Sequence, residues 1–459
     1  MKALRKLSPA PGLFLCDIPR PPPPGADEVL VRVEAAGICG SDLHIEDWSG
    51  GYEFITASMP VTLGHEVAGR VVESGDPGLP PGTRVVVIPS VTCGICAACR
   101  AHDRDRCVDR RGIGMTREGG FAPFVLAPAR NCLALPPGFD AGIAALTEPL
   151  VIGARAVSVG GVGPGDRVLV LGPGAIGQAI ALMAREAGAA EVTIAGRDDA
   201  PRFAVLERLG FHELREVGDK GLTHLAAGGR FDVVFEAVGM PTLVAEALPL
   251  LRREGVLVIA GIHPRPAEIP LNTVVREQLQ LRGTNRGKIA DWQRTLDFVL
   301  RQGAALAPMV THRLPLRDAL EGFAITRRRQ ATKAILLPEP TMSDPAFLAL
   351  WNDLTPVREA EYEEWHAREH VPERVAAPGF RAGRRYRDPA HPTHRWFTLY
   401  EMEGLDALLT PEYRDLLANP TPWSASMRPD FRHFLRAPCR EAARAGHGMG
   451  AALAVLRLP

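Results

Sequence analysis

Two patterns of hydrophobic and polar positions divide the chain. Between residues 29 and 34, valines alternate with other residues, and this period of two predicts a strand with one buried face. Further along, Val168–Leu171 is a continuous apolar run, as expected for a strand buried on both faces. Similar strands are predicted at Glu191–Ala195, Phe231–Glu236 and Val256–Ala260. The chain is therefore predicted to begin with a β-rich region and to continue into an α/β region with a parallel sheet.

Helical and mixed segments complete this outline. Ile143–Val159 is predicted to be a helix that leads into the parallel sheet, and residues 291–303 form an amphipathic helix beyond it. After a proline-bearing linker from Pro338 to Pro345, short strands alternate with helices. The predicted elements there are Phe347–Trp351, Glu359–Val375, residues 381–387, Trp396–Glu401 and Asp406–Asn419. This β-α-β-β-α-β order suggests an appended ferredoxin-like α+β unit.

Length and charge exclude several classes of function. The 459 residues exceed a single core and predict two or three domains. The 53 basic and 53 acidic residues leave no formal net charge, so neither nucleic acid nor an anionic membrane is an expected partner. The chain has no apolar run of about 18 residues, so no transmembrane helix is predicted. The N-terminus does not resemble a signal peptide. We therefore expect a cytoplasmic protein with reduced cysteines.

Half of the eight cysteines lie within fifteen residues. They follow the pattern C-x2-C-x2-C-x7-C, formed by Cys93, Cys96, Cys99 and Cys107. Four thiolates at this spacing can surround one tetrahedral Zn²⁺ and leave no open position for a substrate. A disulfide framework is not expected, because nothing else in the chain indicates secretion. The sequence predicts a structural zinc.

A glycine-rich turn follows the first strand of the parallel sheet. Gly172, Gly174 and Gly177 form G-x-G-x-x-G, and Ala175 and Ile176 lie within it at the start of an alanine-rich helix. With a strand before it and a second strand after the helix, this pattern predicts a dinucleotide site with the pyrophosphate at the helix N-terminus. Later strands end near Val238, Gly261 and Ile262, where the nicotinamide is expected.

The end of the second strand favours one cofactor over the other. An NAD site usually has an acidic residue there for the ribose 2′-hydroxyl. Here that place falls near Arg197, and a cation suits a 2′-phosphate. NADP is therefore the favoured cofactor. NAD stays open, since Asp198 could bind the hydroxyl if the loop shifts.

Together with the cysteine lobe, three short motifs resemble the zinc-dependent medium-chain dehydrogenases, the alcohol, polyol and threonine dehydrogenase group. They are GICGSDLH from Gly37, GHEVAG from Gly64 and TEPL from Thr147, and the resemblance spans about residues 1 to 338. TEPL is similar to the polyol and threonine branch, in which glutamates ligate the metal directly or through water. The resemblance implies two zinc ions per chain.

The same resemblance assigns the catalytic residues. It implies that Cys39, His65 and Glu66 are zinc ligands and that Glu148 is a ligand or lies just behind the ligands. Ser41 would take the substrate proton and His44 would pass it to solvent. Purely structural interpretations of these residues stay open. They are a core histidine for His65, a small buried hydrophobe for Cys39, a hydrogen-bonding carboxylate for Glu66, a helix N-terminal carboxylate for Glu148 and a solvated loop residue for His44.

The resemblance also implies the domain organisation. Residues 1–152 would form a GroES-like catalytic domain with both zinc sites, residues 153–286 a Rossmann domain, and residues 287–338 a return to the catalytic domain. Residues 343–440 resemble the EthD-like dimeric α+β-barrel proteins through WHAREHVPERVAAPGF, RRYR and FTLYE, and residues 441–459 are an unplaced tail. His366 and His370 lie on one face of a predicted helix and could do acid–base chemistry. In the alternative without chemistry, one of these histidines is buried and the other is exposed.

These observations predict a zinc-dependent NAD(P) oxidoreductase. Its substrate would be a small alcohol (a polyol, sugar alcohol or hydroxy-amino compound) and its assembly a homodimer or homotetramer. An NADP-dependent aldehyde or ketone reductase of the same fold is the first alternative. A non-catalytic zinc-binding scaffold protein is the second, and the catalytic-zinc motifs argue against it.

Overall fold

The protein divides into two compact units, one ending at Glu339 and the other beginning at Pro340. The structure is a computed structural model that describes residues 1–218, 221–338 and 346–440, together with Leu453 and Val455. The predicted linker after Pro338 and nearly all of the predicted tail lie outside the described residues. Each unit is described by itself below.

The first part of the N-terminal unit is built from short strands, as the alternating pattern predicts. Its elements are β1 (Lys2–Lys6), β2 (Phe14–Asp17), β3 (Glu28–Gly37), α1 (Gly40–Asp47), β4 (Val61–Thr62), β5 (Glu66–Ser74), β6 (Arg84–Val87), β7 (Ser90–Val91), α2 (Ala97–Arg100), β8 (Arg111–Gly112), β9 (Phe124–Pro128) and β10 (Cys132–Ala134). The inward side chains of β3, β5 and β6 form a shared apolar core.

A six-stranded parallel sheet follows. Its elements are α3 (Ala141–Ala145), α4 (Thr147–Gly160), β11 (Arg167–Leu171), α5 (Ala175–Glu186), β12 (Glu191–Gly196), α6 (Ala200–Arg208), β13 (Leu214–Glu216), β14 (Phe231–Glu236), α7 (Pro241–Ala247), β15 (Leu251–Ile259), α8 (Leu271–Glu277) and β16 (Gln280–Gly283). The strand order is β13-β12-β11-β14-β15-β16, with every pairing parallel. This is the doubly wound Rossmann order, and separate apolar cores cover its two faces.

The chain then returns to the first sheet. The returning elements are α9 (Ile289–Gln302), β17 (Val310–Pro315), α10 (Ala319–Arg327) and β18 (Lys333–Leu337). Strand β18 pairs antiparallel with β3, which pairs in turn with β5, in a seven-stranded sheet of order β10-β6-β5-β3-β18-β17 with β9 also on β3. This return brings the N-terminal end of β18 close to residues that precede it by more than 260 positions.

One helical stretch, Ala141–Gly160, is long and apolar enough to cross a membrane by length and composition alone. Of its most apolar window, 72% is buried inside the protein. Its contacts are those of a core helix, because α4 packs on α5 and on α9.

The C-terminal unit has the β-α-β-β-α-β order that the sequence suggests, although its last strand was not located from the sequence. Its elements are β19 (Ala346–Leu354), α11 (Glu359–Trp365), α12 (Val371–Ala376), β20 (Phe380–Arg387), β21 (Trp396–Met402), α13 (Pro411–Ala418), α14 (Pro422–Met427) and β22 (Phe431–Arg440). The four strands form an antiparallel sheet of order β20-β21-β19-β22.

Two details of this unit differ from the prediction. The helix predicted over Asp406–Asn419 begins only at Pro411, because Thr410 caps it by accepting from the Tyr413 N–H at 3.3 Å and a proline suits the first helical turn. The helix predicted over Glu359–Val375 is interrupted by a π-helical turn at His366–His370.

Candidate active site

The four lobe cysteines face one another around a common centre. Their sulfur atoms all lie within 4.8 Å of one another, with Cys93 Sγ 4.0 Å from Cys99 Sγ and 3.6 Å from Cys107 Sγ. Zinc–thiolate bonds of about 2.3 Å in a tetrahedron put sulfurs about 3.8 Å apart. All four cysteines are free thiols. Their spacing therefore fits a tetrahedral zinc.

Backbone amides prepare this lobe for a cation. The N–H groups of Cys93, Cys96 and Cys99 each point at a lobe sulfur, at 3.3–3.4 Å. Hydrogen bonds from the Cys99 and Val108 amides lower the pKa of the Cys96 thiol to about 6. A thiolate is the form that binds metal, so these amides favour the binding form at Cys96, whereas burial raises the pKa of the Cys99 thiol to about 11.

A second cluster lies where β3, α1 and β5 meet. Cys39 immediately precedes α1, while His65 and Glu66 stand at the start of β5, and one ligand atom from each lies within 4.8 Å of the other two. These are the three ligands that the sequence proposes. The pairing of Gly37 with Glu66 across β3 and β5 creates this proximity.

His65 is held by a neighbouring carboxylate. It is buried, with its Nδ1 3.7 Å from Asp42 Oδ1 and its Nε2 3.5 Å from Ser41 Oγ. Burial alone would lower the pKa of His65, but the nearby Asp42 and Cys39 outweigh it and raise the pKa well above the usual value. Asp42 also accepts the Cys39 N–H at 3.0 Å, so one carboxylate braces two of the proposed ligands.

Glu66 has one oxygen paired and one oxygen without a partner. Oε1 accepts from Lys333 Nζ at 2.6 Å, whereas buried Oε2 has no hydrogen-bond partner among the described residues. A Cβ atom at Gly37 would overlap Oε2, so a larger residue there would displace the Glu66 carboxylate. An unpaired carboxylate oxygen inside a protein is costly, and a divalent cation shared with the cysteine and histidine would satisfy it. The donor set therefore fits a zinc ion.

Lys333 is the residue that sequence reasoning missed. It opens β18, is 1% exposed, and donates to Glu66 Oε1 and to the Ile38 carbonyl at 3.0 Å. Burial would lower the pKa of Lys333, but the charges of Glu66 and Cys39 outweigh that effect and raise it. No motif signals this lysine, because its role depends on β18 pairing with β3.

Glu148 lies near this cluster but outside the group of three. It occupies the first turn of α4 and is 7% exposed. Burial raises the pKa of its carboxyl to about 7, with His65, Glu66 and Lys333 among the charges that act on it. The structure therefore places Glu148 beside the proposed ligands without assigning it a bond to a metal.

A polar path leads outward from the cluster. Ser41 contacts His65, and His44, three residues further along α1, has its Nδ1 3.0 Å from the exposed Ser49 hydroxyl. The His44 ring stacks on Tyr52 with centroids 6.1 Å apart. Burial lowers the pKa of His44, which favours its neutral form. The two residues proposed as a proton path thus lie three residues apart on one short helix.

The glycine-rich turn has the geometry of a phosphate cradle. Gly172 adopts φ +107° at the end of β11, and Gly174 precedes the first residue of α5. A Cβ atom at Gly177 would overlap the Gly172 carbonyl oxygen. The amides of Ala175 and Ile176 lie in the first turn of α5, where unpaired N–H groups and the helix dipole favour a phosphate.

Three arginines gather at the proposed ribose end. Arg197 follows β12, and its carbonyl accepts from Arg329 Nη1 at 3.1 Å. Buried Asp199 pairs with Arg202 at 3.1 Å and approaches Arg329 at 3.9 Å. Asp198, the alternative ribose ligand, has φ +54° and an exposed side chain. Arg329 comes from the end of α10, so the sequence around β12 could not reveal it.

The strand ends beside the proposed nicotinamide site are closely packed. A Cβ atom at Gly261 would overlap the Gly239 amide nitrogen, and one at Gly172 would lie 2.8 Å from Val238 Cγ2. Val238 and Ile262 each keep 43% of their surface exposed. The loops at residues 237–239 and 260–263 form a rim at these strand ends. Its exposed apolar side chains offer a surface for the flat nicotinamide ring.

Comparisons with known proteins agree with this architecture. Residues 25–137 match the alcohol dehydrogenase GroES-like domain and residues 175–301 match the zinc-binding dehydrogenase domain. An L-threonine 3-dehydrogenase of Coxiella burnetii is 34% identical over 343 residues, which cover 73% of this chain and 99% of the relative.

Solved structures show the same similarity. A zinc-binding dehydrogenase from Sinorhizobium meliloti 1021 bound to NADP has 29% identity and a TM-score of 0.63, covering 73% of this chain and 99% of that one. The 2R,3R-butanediol dehydrogenase of Bacillus subtilis has 27% identity and a TM-score of 0.64, covering 74% and 99%.

The fold, the two groups of candidate zinc ligands and the glycine-rich turn together define a zinc-binding, nicotinamide-dependent oxidoreductase. The chain belongs to the zinc-dependent medium-chain dehydrogenase family, and zinc and NAD(P) are its cofactors. The predicted GroES-like and Rossmann folds are confirmed. Both matched domains lie within residues 25–301, so the EthD-like resemblance of the C-terminal unit stays a prediction.

Proposed function

We propose that this protein transfers a hydride between a small alcohol and NADP at the Cys39–His65–Glu66 cluster. The observation that carries this proposal is the buried Glu66 oxygen without a partner, beside a cysteine and a histidine whose ligand atoms lie within 4.8 Å. A structural zinc needs only a closed set of four protein ligands, as in the cysteine lobe, whereas a second group of only three ligands leaves a coordination position open for a substrate. The alternative of a non-catalytic zinc-binding protein is accordingly the weaker one.

Each residue of the site has a defined task. Bound zinc supplies a Lewis acid that lowers the pKa of a substrate hydroxyl, and bound nicotinamide accepts the hydride. Ser41 lies next to His65 and takes the proton that leaves the substrate hydroxyl while it passes its own hydroxyl proton on towards His44. His44 carries that proton to the exposed Ser49 side of α1. Lys333 holds Glu66 in place, and Glu148 is a further ligand or a carboxylate behind the ligands.

The substrate class follows from the family and its relatives. The threonine and butanediol dehydrogenases to which this chain is similar act, by their names, on compounds with a secondary hydroxyl group. We therefore propose a polyol, a sugar alcohol or a hydroxy-amino compound, with L-threonine and 2,3-butanediol as first candidates. Zinc analysis combined with nicotinamide absorbance at 340 nm over an alcohol panel tests this proposal. Two zinc ions and no turnover with any alcohol or carbonyl compound would favour the scaffold alternative.

A carbonyl reductase is the second candidate. It is favoured by Arg197, because a cation at the ribose end suits the 2′-phosphate of NADP, and by a net positive group there, in which Asp199 pairs with only two of three arginines, Arg202 and Arg329. The S. meliloti structure was determined with NADP. Faster NADPH-dependent reduction of ketones and aldehydes than NADP-dependent oxidation of the matching alcohols would select this function.

For the C-terminal unit we propose a ferredoxin-like, EthD-like fold that pairs with a second copy. Its strand order β20-β21-β19-β22 supports the fold, and an open four-stranded sheet has edges that a partner can cover. His366 is buried with Nε2 3.2 Å from Thr398 Oγ1, and His370 stands 5.3 Å away between ring centroids. Burial lowers the pKa of His366 to about 3, so its ring stays neutral near pH 7 and is only a weak base.

Truncation after Leu337 tests this assignment. We expect the shortened protein to lose one level of assembly in light scattering. Retention of the full-length oligomeric state would show that the C-terminal unit is not the dimerising element. Full dehydrogenase activity in the truncated protein would show that any chemistry at His370 is independent of the zinc site.

A further inference from the structure

Glu236 is a completely buried carboxylate outside both cysteine clusters. It is the last residue of β14, is 0% exposed, and stands where the parallel strands end. Its Oε1 accepts the N–H groups of Val238 at 2.9 Å and Gly239 at 2.7 Å. One carboxylate oxygen thus fixes the turn that follows β14.

The other oxygen of Glu236 reaches a different loop. Its Oε2 lies 2.9 Å from Nε2 of His263. His263 is in the loop after β15, 27 residues beyond Glu236 along the chain. Because a carboxylate only accepts, Nε2 carries the hydrogen of this bond. The Glu236 carbonyl also accepts from Ala260 N at 2.8 Å and Gly261 N at 3.0 Å. Main chain and side chain of one residue therefore hold both loops.

The two loops leave each other almost no free space. A Cβ atom at Gly239 would overlap the Ile262 carbonyl oxygen, and one at Gly261 would lie 2.7 Å from Glu236 Oε2. Such a contact tolerates only one relative position of the loops. Val238 and Ile262, the exposed apolar residues of this rim, each adjoin a residue that Glu236 binds.

The His263 side chain is held by its bond to Glu236 through Nε2. Its Nδ1 is buried and has no hydrogen-bond partner among the described residues, which costs free energy unless the bond at Nε2 compensates. The side chain is 16% exposed and its carboxylate partner is not exposed at all. The His263 ring therefore lies between the Glu236 carboxylate and the protein surface.

We propose that Glu236 and His263 form a positioning pair that sets the distance between residues 237–239 and 260–263, and thereby the affinity for the nicotinamide half of the cofactor. This inference rests on the proposed placement of the nicotinamide at these strand ends. His263 is a positioning residue, since it acts through the loops and does not touch the reacting atoms. Loss of its bond should widen the rim while the zinc clusters stay intact.

Three variants of the holoenzyme test the pair. His263→Ala removes the donor, His263→Gln keeps an amide donor of similar reach, and His212→Ala changes an exposed histidine of the same Rossmann fold. NADPH binding is followed by its fluorescence, through Kd and the emission of the bound nicotinamide. Zinc content, thermal stability and the KM for the alcohol are measured beside it.

We expect His263→Ala to raise the Kd for NADPH about tenfold and to shift the bound emission towards that of free cofactor, with two zinc ions retained. His263→Gln should recover most of both signals, and His212→Ala should match the wild type. An unchanged Kd and emission in His263→Ala would overturn the pair, as would a lower stability with unchanged binding. Wild-type protein that binds neither NADPH nor NADH would overturn the proposed function and this inference with it.

Discussion

The two cysteine-bearing clusters of the N-terminal unit are assembled from very different lengths of chain. Four cysteines between Cys93 and Cys107 make the first, and a single loop provides all of them. The second joins Cys39 with His65 and Glu66 and is completed by Lys333, which lies 267 residues after Glu66. A local cluster can be recognised from spacing alone, whereas a cluster between strands depends on the order of the sheet.

The electrostatic character of the two clusters differs as well. In the lobe, backbone amides compensate the sulfurs, and no charged side chain belongs to the group of four. In the other cluster, a buried lysine compensates only one of the two oxygens of Glu66. A closed, self-sufficient site suits a structural ion, while incomplete compensation suits a site that must accept a substrate. Substitutions in each cluster distinguish the two kinds of site.

The largest effect is expected for Cys99→Ser in the lobe. A structural zinc contributes directly to folding, and the buried Cys99 supplies one of its four ligands. We expect one zinc to be lost per chain, the free energy of unfolding to fall by at least about 5 kcal/mol, and the protein to aggregate. Metal analysis and thermal unfolding measure both changes.

Cys132→Ser is the matched control, because Cys132 is about equally buried but lies in the apolar core outside the lobe, where its thiol donates to the Pro128 carbonyl at 3.7 Å. It should retain two zinc ions. Cys99→Ser protein with two zinc ions and wild-type stability would show that the lobe is not a metal site.

Cys39→Ser should have the second largest effect and a different character. We expect a folded protein with one zinc and activity lower by at least about 10³-fold, or about 4 kcal/mol. If this variant instead unfolded as Cys99→Ser does, the two clusters would not differ in kind. Two zinc ions with unchanged activity would remove Cys39 from the site.

Lys333→Met would break the long-range contact that no motif revealed. Removal of one partner of a buried pair leaves an uncompensated charge on Glu66, and we expect a loss of about 3 kcal/mol together with weaker zinc binding. Lys6→Met is the control, since Lys6 is also fully buried but donates to backbone carbonyls such as that of Glu46. It should lower stability without changing zinc content. Equal zinc retention by both variants would contradict the role of Lys333.

The smallest effect concerns the cofactor and again compares a local residue with a distant one. Arg197→Asp should weaken NADP binding by about 1–3 kcal/mol and favour NAD, because one charge-assisted contact is lost. Arg329→Ala, which lies 132 residues further along the chain, should act in the same direction. The kcat/KM ratio for NADP over NAD measures both. Equal kinetics with both cofactors, unchanged in Arg197→Asp, would show that this position does not contact the ribose.

The sequence by itself was sufficient for the features that neighbouring residues define. The cysteine lobe needs only its spacing, and β11, β12, β14 and β15 were predicted from apolar runs, whereas the short, largely exposed β13 was not. The glycine-rich turn was predicted because Gly172, Gly174 and Gly177 lie between a strand and a helix. In each case the physical cause, a short reach or a local backbone conformation, acts within a few residues of the chain.

The tertiary structure alone decided which distant charges meet. Lys333 reaches Glu66 because β18 returns to pair with β3, and Arg329, which follows α10, lies 3.9 Å from the Asp199 carboxylate. His263 meets Glu236 because β14 and β15 are neighbours in the parallel sheet. A buried charge must find its partner wherever the fold brings one within about 3 Å, and sequence distance places no limit on that choice.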